Sequence, residues 1–288
     1  MAKPEIDRIT GVETTAHEWD GIKELNNPLP RWWLWVLYVS IIWSVGYWIL
    51  MPTWPLISSH TKGFLGYSQR SVVARALEEA KQAQSVYLDK IAANDPAAIK
   101  ADSELLRFSL AGGEAAFGDN CAPCHGRGAQ GAIGYPNLND DNWLWGGTLD
   151  DIHHTLKVGI RSTHPDTRDN PMPAFGRDEI LEPAQISDVA EFVLSISGGE
   201  AIMKAAARGK EIFAEQCVAC HGEEGKGNME LGAPNLTDRI WLYGGDKASI
   251  TLTIRNSRAG VMPAWEGRLS PETIKQLAVY VHSLGGGQ

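Results

Sequence analysis

The sequence predicts a mainly α-helical chain. One transmembrane helix near the N-terminus is followed by two small helical domains in tandem. Three observations carry this. From Trp32 to Met51 twenty residues have no charge. Between residues 103 and 288 one pattern of residues is written twice. The 288 residues are 43% hydrophobic and 21% charged, which excludes a wholly disordered chain and a polytopic membrane protein and leaves room for about two domains of ~150 residues. A net charge of -9 gives no electrostatic footprint for nucleic acid.

The uncharged run reads WWLWVLYVSIIWSVGYWILM. At the α-helical rise it spans ~30 Å, one bilayer core. Trp32, Trp33 and Trp35 gather at one end and Tyr47, Trp48 and Trp54 at the other, as interfacial aromatics do. A buried core helix does not supply such a run between aromatic belts. A cleavable signal peptide is also disfavoured, because the run is long, 31 mostly polar residues precede it, and no A-x-A site follows. The expectation is an uncleaved anchor over 32–54 behind an N-terminal segment, 1–31. Lys23 and Arg31 on one side are balanced by Lys62 and Arg70 on the other, so charge alone does not orient it.

Residues 55–102 read as a linker with helical pieces. Val73, Leu77, Ala80, Gln84, Tyr87 and Ile91 fall at helical steps and form an amphipathic stripe, the mark of a packing face. Asp95-Pro96 is a helix start, with Asp as N-cap and Pro at the first helical position.

The remainder is an internal repeat, expected as domains 103–199 and 200–288. Gly113-x3-Phe117-x3-Cys121-x2-Cys124-His125 matches Gly209-x3-Phe213-x3-Cys217-x2-Cys220-His221. Pro136-Asn137-Leu138-x4-Trp143-Leu144-Trp145-Gly146-Gly147 matches Pro234-Asn235-Leu236-x4-Trp241-Leu242-Tyr243-Gly244-Gly245. Met172-Pro173-Ala174-Phe175 matches Met262-Pro263-Ala264-Trp265, and Ile186 to Ile196 matches Ile274 to Leu284. Helical spacing at both ends of each unit encloses a Gly- and Pro-rich middle.

All four cysteines fall in the two C-x-x-C-H motifs. This is the attachment signature of c-type haem. Residues i and i+3 share a helix face, so both thiols reach the two vinyl groups of one porphyrin. The adjoining His125 and His221 supply proximal imidazoles. Three other uses of C-x-x-C compete less well. Zinc knuckles pair such motifs ~15–20 residues apart, a thioredoxin-like pair needs a strand–helix context, and chance does not place two copies inside a repeat.

The sixth ligand of each iron comes from the opposite side of the porphyrin. Met172 and Met262 occupy equivalent positions, each held off-helix by a following proline. A thioether opposite an imidazole raises the reduction potential and suits electron transfer. His153, His154 and His164 in the first unit and Met203 and Met229 in the second are rivals. The first unit also carries about eight extra residues, His164 to Pro171. Trp143, Trp145, Trp241 and Tyr243 read equally well as haem-edge or core residues. G-x-S-x-G, P-loop and H-E-x-x-H motifs are absent.

The tandem units, the anchor and the pre-membrane segment WDGIKELNNPLPRWW (Trp19–Trp33) resemble the dihaem subunit III of cbb(3)-type cytochrome c oxidases, bacterial haem–copper terminal oxidases. The resemblance runs from about His17 to the C-terminus. It implies two cytochrome c-like helical domains, two haem c groups and no catalytic centre on this chain. It carries over His125 with Met172 and His221 with Met262 as axial pairs. It further implies electrons taken from a soluble periplasmic cytochrome c or similar donor and passed to a monohaem c-type subunit and then the catalytic haem–copper subunit. The location implied is the bacterial inner membrane, with residues 1–31 cytoplasmic and the haem domains periplasmic. A stand-alone membrane-anchored dihaem shuttle and a dihaem peroxidase are the competing functions. Residues 103–199 hold a net charge of -8, which would steer a basic donor toward the first unit.

Overall fold

The computed structural model describes residues 4–287. The chain divides between Ala83 and Gln84 into two compact units.

In the first unit, β1 (Thr14–Trp19) and β2 (Ile22–Leu25) form an antiparallel hairpin with Trp19 opposite Ile22 and Glu18 opposite Lys23. Asp20 and Gly21 make its two-residue turn, both at positive φ, as a twisted hairpin requires. The helix α1 (Arg31–Leu50) follows. It stops short of the expected residue 54 because Pro52 drives Met51 out of the helical region, to φ -108 and ψ 158. None of its residues is buried, so its apolar side chains face outward all round. Ser40 and Ser44 hydroxyls donate to the Val36 and Ser40 carbonyls at 2.7 Å, so neither hydroxyl is left without an acceptor.

The expected linker holds α2 (Gln69–Ala93) and α3 (Pro96–Ala101). Asp95 caps α3 through the Ala98 amide, with Pro96 leading the helix. The stripe on α2 is buried only at its C-terminal end. Ile91 packs with Ile99, Leu105 and Val279, and Tyr87 stacks on Phe108, whereas Val73 and Leu77 stay exposed.

The second unit continues with α4 (Ser103–Asn120), α5 (Ala122–His125), α6 (Leu149–Val158), α7 (Pro183–Ile196), α8 (Met203–Gln216), α9 (Val218–His221), α10 (Lys247–Asn256) and α11 (Pro271–Ser283). Their packing crosses the repeat boundary. The first helix of the first repeat, α4, pairs with the last helix of the second, α11, and α7 pairs with α8. One core joins Phe117, Ile152 and Leu156 to Ile274, Leu277 and Val281. The other joins Phe175, Ile186 and Val189 to Phe213, Ile250 and Ile254. Neither 103–199 nor 200–288 therefore builds a lobe from its own residues alone.

The exchange occurs just after α6 and α10. Trp265 NH donates to the Leu156 carbonyl at 3.0 Å, and the repeat-equivalent Phe175 NH donates to the Ile254 carbonyl at 3.1 Å. The crossing segments pair where they pass: Ile160 and Met262 exchange both backbone hydrogen bonds, at 3.0 and 2.9 Å. The Ser257 hydroxyl donates to the Met172 carbonyl. The acidic stretch 103–199 contributes helices to both lobes, so its charge does not mark one of them.

Glu191 on α7 ties the second lobe together. Its buried carboxylate takes Lys247 Nζ at 2.6 Å and the Ile202 amide at 2.8 Å. The Lys247 hydrogen bond first, and the Ile202 amide second, hold its carboxyl below the usual range. A depressed folded value means stability present above the ordinary carboxylate pKa and lost as pH falls through the folded one. Glu191→Gln is expected to cost about 2 kcal/mol at neutral pH. The gap from wild type should narrow on acidification below about pH 4, as read from denaturation midpoints across pH.

Candidate haem-binding sites

Each site grows from a helix that runs into its C-x-x-C-H motif. The Cys121 amide donates to the Phe117 carbonyl at the end of α4 at 2.8 Å. One further turn, α5, follows, with Cys124 and His125 amides bonded to the Cys121 carbonyl at 3.1 and 2.9 Å. The second motif repeats this: Cys220 and His221 amides bond the Cys217 carbonyl at 3.1 and 2.9 Å. In each motif, both sulfurs and the imidazole therefore belong to one helical turn.

The histidines are oriented by the loop that follows. His125 Nδ1 lies 3.0 Å from the Pro136 carbonyl, and His221 Nδ1 lies 3.0 Å from the Pro234 carbonyl. A carbonyl only accepts, so Nδ1 carries the proton and Nε2 keeps its lone pair. Burial pushes both imidazole pKa values down, with the carbonyl hydrogen bond opposing it, so both rings are kept neutral and able to ligate. The repeat-matched Pro-Asn-Leu residues are thus explained by the carbonyl they deliver. Burial also pushes the Cys121 and Cys217 thiols up to about 11, with the neighbouring Cys124 and Cys220 adding to it.

The methionines come from the opposite repeat. Met262 lines one apolar cavity with Phe117, Cys121, His125, Trp145 and Ile160. Met172 packs instead against the core that holds Phe213 and Ile254, as Cys217 does. The pairs carried over by resemblance set His125 with Met172 and His221 with Met262; the structure places Met262, not Met172, in the His125 cavity and packs Met172 on the core that also takes Cys217. The physical reason is the exchange described above, which carries each Met-Pro loop past its own lobe.

The rival ligands are engaged, exposed or outside the His125 cavity. His164 has both ring nitrogens engaged, Nε2 with Glu266 at 2.9 Å and Nδ1 with the Asp166 amide at 3.0 Å. Met203 and Met229 are exposed, at 70% and 42%. His153 and His154 sit on α6 and do not line the cavity. Among the described residues, no three or more His, Cys, Asp or Glu side chains cluster to hold a metal ion without a porphyrin.

The aromatic residues left open by the sequence divide by lobe. Trp143 and Trp145 line the His125 cavity, and Trp143 Nε1 donates to the Gly286 carbonyl. Trp241 packs on the other core. Sequence reading did not pick out Arg168 and Arg258, which stack on Trp145 and Tyr243 at 5.4 and 4.8 Å. Their signal was available, because both stand four residues before the repeat-matched methionines.

The residues fit a covalently held porphyrin. The Cys121 thiol, an imidazole whose Nδ1 is already engaged, and the Met262 thioether line one apolar cavity, and Cys124 lies on the same helical turn as Cys121. Comparison with known proteins agrees. A family described as "Cytochrome c" matches residues 110–197, and "Cytochrome C oxidase, cbb3-type, subunit III" matches residues 204–281. "N-terminal domain of cytochrome oxidase-cbb3, FixP" matches residues 11–58. The chain is thus a haem c-binding cytochrome with an oxidase-type, membrane-anchoring N-terminal part. It is 56% identical over 285 residues to the cbb3-type cytochrome c oxidase subunit FixP of Bradyrhizobium sp. (strain ORS 278), covering 99% of this chain and 98% of that protein. It is 54% identical to the subunit CcoP of Azospirillum brasilense over the full length of both chains, and 51% identical to that of Cereibacter sphaeroides over 96% and 95%. The chain belongs to the family of cbb3-type cytochrome c oxidase subunits FixP/CcoP, and its role is electron transfer within the oxidase complex.

Proposed function

We propose that this chain is a dihaem electron relay of a membrane-bound cbb3-type oxidase, with two crossed axial ligand sets. Cys121 and Cys124 hold one haem c, ligated by His125 and Met262. Cys217 and Cys220 hold the other, ligated by His221 and Met172. When bound, each group supplies a one-electron iron couple. The chain's residues keep the imidazoles neutral, and Met262 and Met172 would supply the second ligand that closes each iron to oxygen or peroxide. The single observation that carries this reading is the meeting of His125, with Nδ1 already engaged, and Met262 in one apolar cavity.

The same reading places residues 1–31 in the cytoplasm, anchors the chain through α1, and puts the second unit in the periplasm. A soluble c-type donor delivers electrons. A monohaem c-type subunit and the catalytic haem–copper subunit receive them. Purification of the native complex tests this. Two haems c per chain, no carbon monoxide adduct on the reduced chain, and copurified copper are expected. Two haems without copper in any complex would favour a free-standing shuttle. A high-spin iron that takes carbon monoxide would favour a peroxidase-type centre.

A further inference from the structure

A half-buried cation beside the His125 cavity lacks part of its partner set. Arg168 lies on the crossing segment, and its side chain is only 15% exposed. Its guanidinium stacks 5.4 Å from the Trp145 ring, which is itself 8% exposed and lines the cavity with His125 and Met262. The segment is pinned there by backbone: the Arg168 amide donates to the Gly159 carbonyl, and Ile160 pairs with Arg168 and with Met262. The protein partners of the guanidinium are weak. Nη2 reaches the Asp151 carbonyl at 3.5 Å and Asp151 Oδ1 at 3.6 Å. Nε is buried and has no hydrogen-bond partner at all.

That unmet Nε is costly, because a buried donor without a partner forfeits its hydration, and the Asp151 carboxylate at 3.6 Å does not reach it. The haem assigned to this cavity under the proposed function brings a matching acceptor. A haem carries two propionate carboxylates, and a carboxylate matches the planar fork of arginine. The repeat-equivalent residue differs. Arg258 stacks on Tyr243 at 4.8 Å, but its Nε and Nη2 are already taken by Thr253 Oγ1 and the Tyr243 and Ser249 carbonyls. One arginine is spent on the fold, and the other keeps a donor in reserve.

We propose that Arg168 binds a carboxylate of the haem lying between His125 and Met262 and, as a fixed positive charge, holds that haem at a higher reduction potential than its uncharged variant would. The inference rests on the haem-binding reading above. Arg168 acts as a positioning residue, since it touches the porphyrin's periphery and not its iron. The step it influences is ferric to ferrous reduction by one electron, with no bond made or broken. A nearby cation disfavours the ferric form, which has one more positive charge.

Potentiometric titration of the full-length chain tests this, with haem counted in the same samples. Two haems per chain with no change in potential would sink the proposal alone; a chain without haem would sink the reading beneath it. Arg168→Gln should lower one of the two one-electron waves by about tenfold in its equilibrium constant, ~59 mV, and leave the other in place. That wave should be the one that Met262→His also moves. Arg168→Lys keeps the charge and should hold the wave within about twofold of wild type, roughly 18 mV. Arg258→Gln should lower thermal stability and leave in place the wave that Arg168→Gln moves. An unshifted Arg168→Gln, or an Arg168→Lys that falls as far, overturns the proposal. Should Arg168→Gln fail to mature, Asp151→Asn serves: freeing the guanidinium from its competing carboxylate should raise the same wave, and an unmoved wave overturns it.

Discussion

Met172→Ala should open the iron attached through Cys217 and Cys220, and leave the iron in its own repeat closed. Met172 is written in the first repeat, yet it packs against the core that holds Phe213 and Ile254 and that Cys217 also packs against. The Ile160–Met262 bridge and the matched bonds from Phe175 and Trp265 hold each Met loop on the opposite lobe. Losing the thioether removes the strong-field sixth ligand, so the reduced iron becomes high-spin and takes carbon monoxide, and its potential drops. About half of the total haem should bind carbon monoxide in Met172→Ala, and about half in Met262→Ala, but not the same half. A chain with Cys121→Ala and Cys124→Ala keeps only the second attachment site and separates the two. In that background Met172→Ala should give carbon monoxide binding and Met262→Ala should give none. The reverse pattern would mean that each repeat closes on its own iron.

The second large effect concerns the two glycines written at equivalent positions. Gly113 on α4 faces α11 so closely that an added Cβ would lie 2.5 Å from Tyr280 Cβ and 2.6 Å from the Gln276 carbonyl. Gly209 on α8 faces α7, and an added Cβ would lie 2.0 Å from the Asp188 carbonyl. Alanine gains about 1 kcal/mol of helix propensity over glycine. Here it meets backbone, which cannot rotate away, so the helices must separate. Overpacking of this kind costs about 1–3 kcal/mol or more, and both effects taken together leave a net loss. Gly113→Ala and Gly209→Ala are each expected to lower the unfolding midpoint by several degrees, on the scale of roughly 2–4 °C per kcal/mol for a unit of this size. Gly118→Ala on the same α4 is the control. Nothing lies within 4 Å of its added Cβ, so it should be neutral or stabilising. A Gly113→Ala chain as stable as Gly118→Ala would contradict the close α4–α11 crossing.

Much of this was legible in the sequence because the responsible forces are local. Twenty uncharged residues make a helix whatever follows, and Asp95-Pro96 starts one. The C-x-x-C-H turn brings its own geometry, since i and i+3 share a face. The Asp20-Gly21 hairpin was equally local, and its turn residues were there to be read. The pairing of the lobes was not legible, for a definite reason. The packing face of α4 complements that of α7 or α11 alike, because α7 and α11 are copies of each other. A repeat fixes which faces meet and says nothing about which copy supplies them. Only the path between α6 and Met172, and between α10 and Met262, decides it, and those loops carry no periodicity. The end of α1 and the exposed first half of α2 likewise depended on Pro52 and on tertiary partners rather than on apolar spacing.

A diffraction structure of the haem-loaded chain, with the irons located by their anomalous signal, tests the crossed clamp most directly. Met262 Sδ should lie on the iron of the porphyrin bonded to Cys121 and Cys124, and Met172 Sδ on the other. Finding Met172 Sδ opposite His125 would contradict the account.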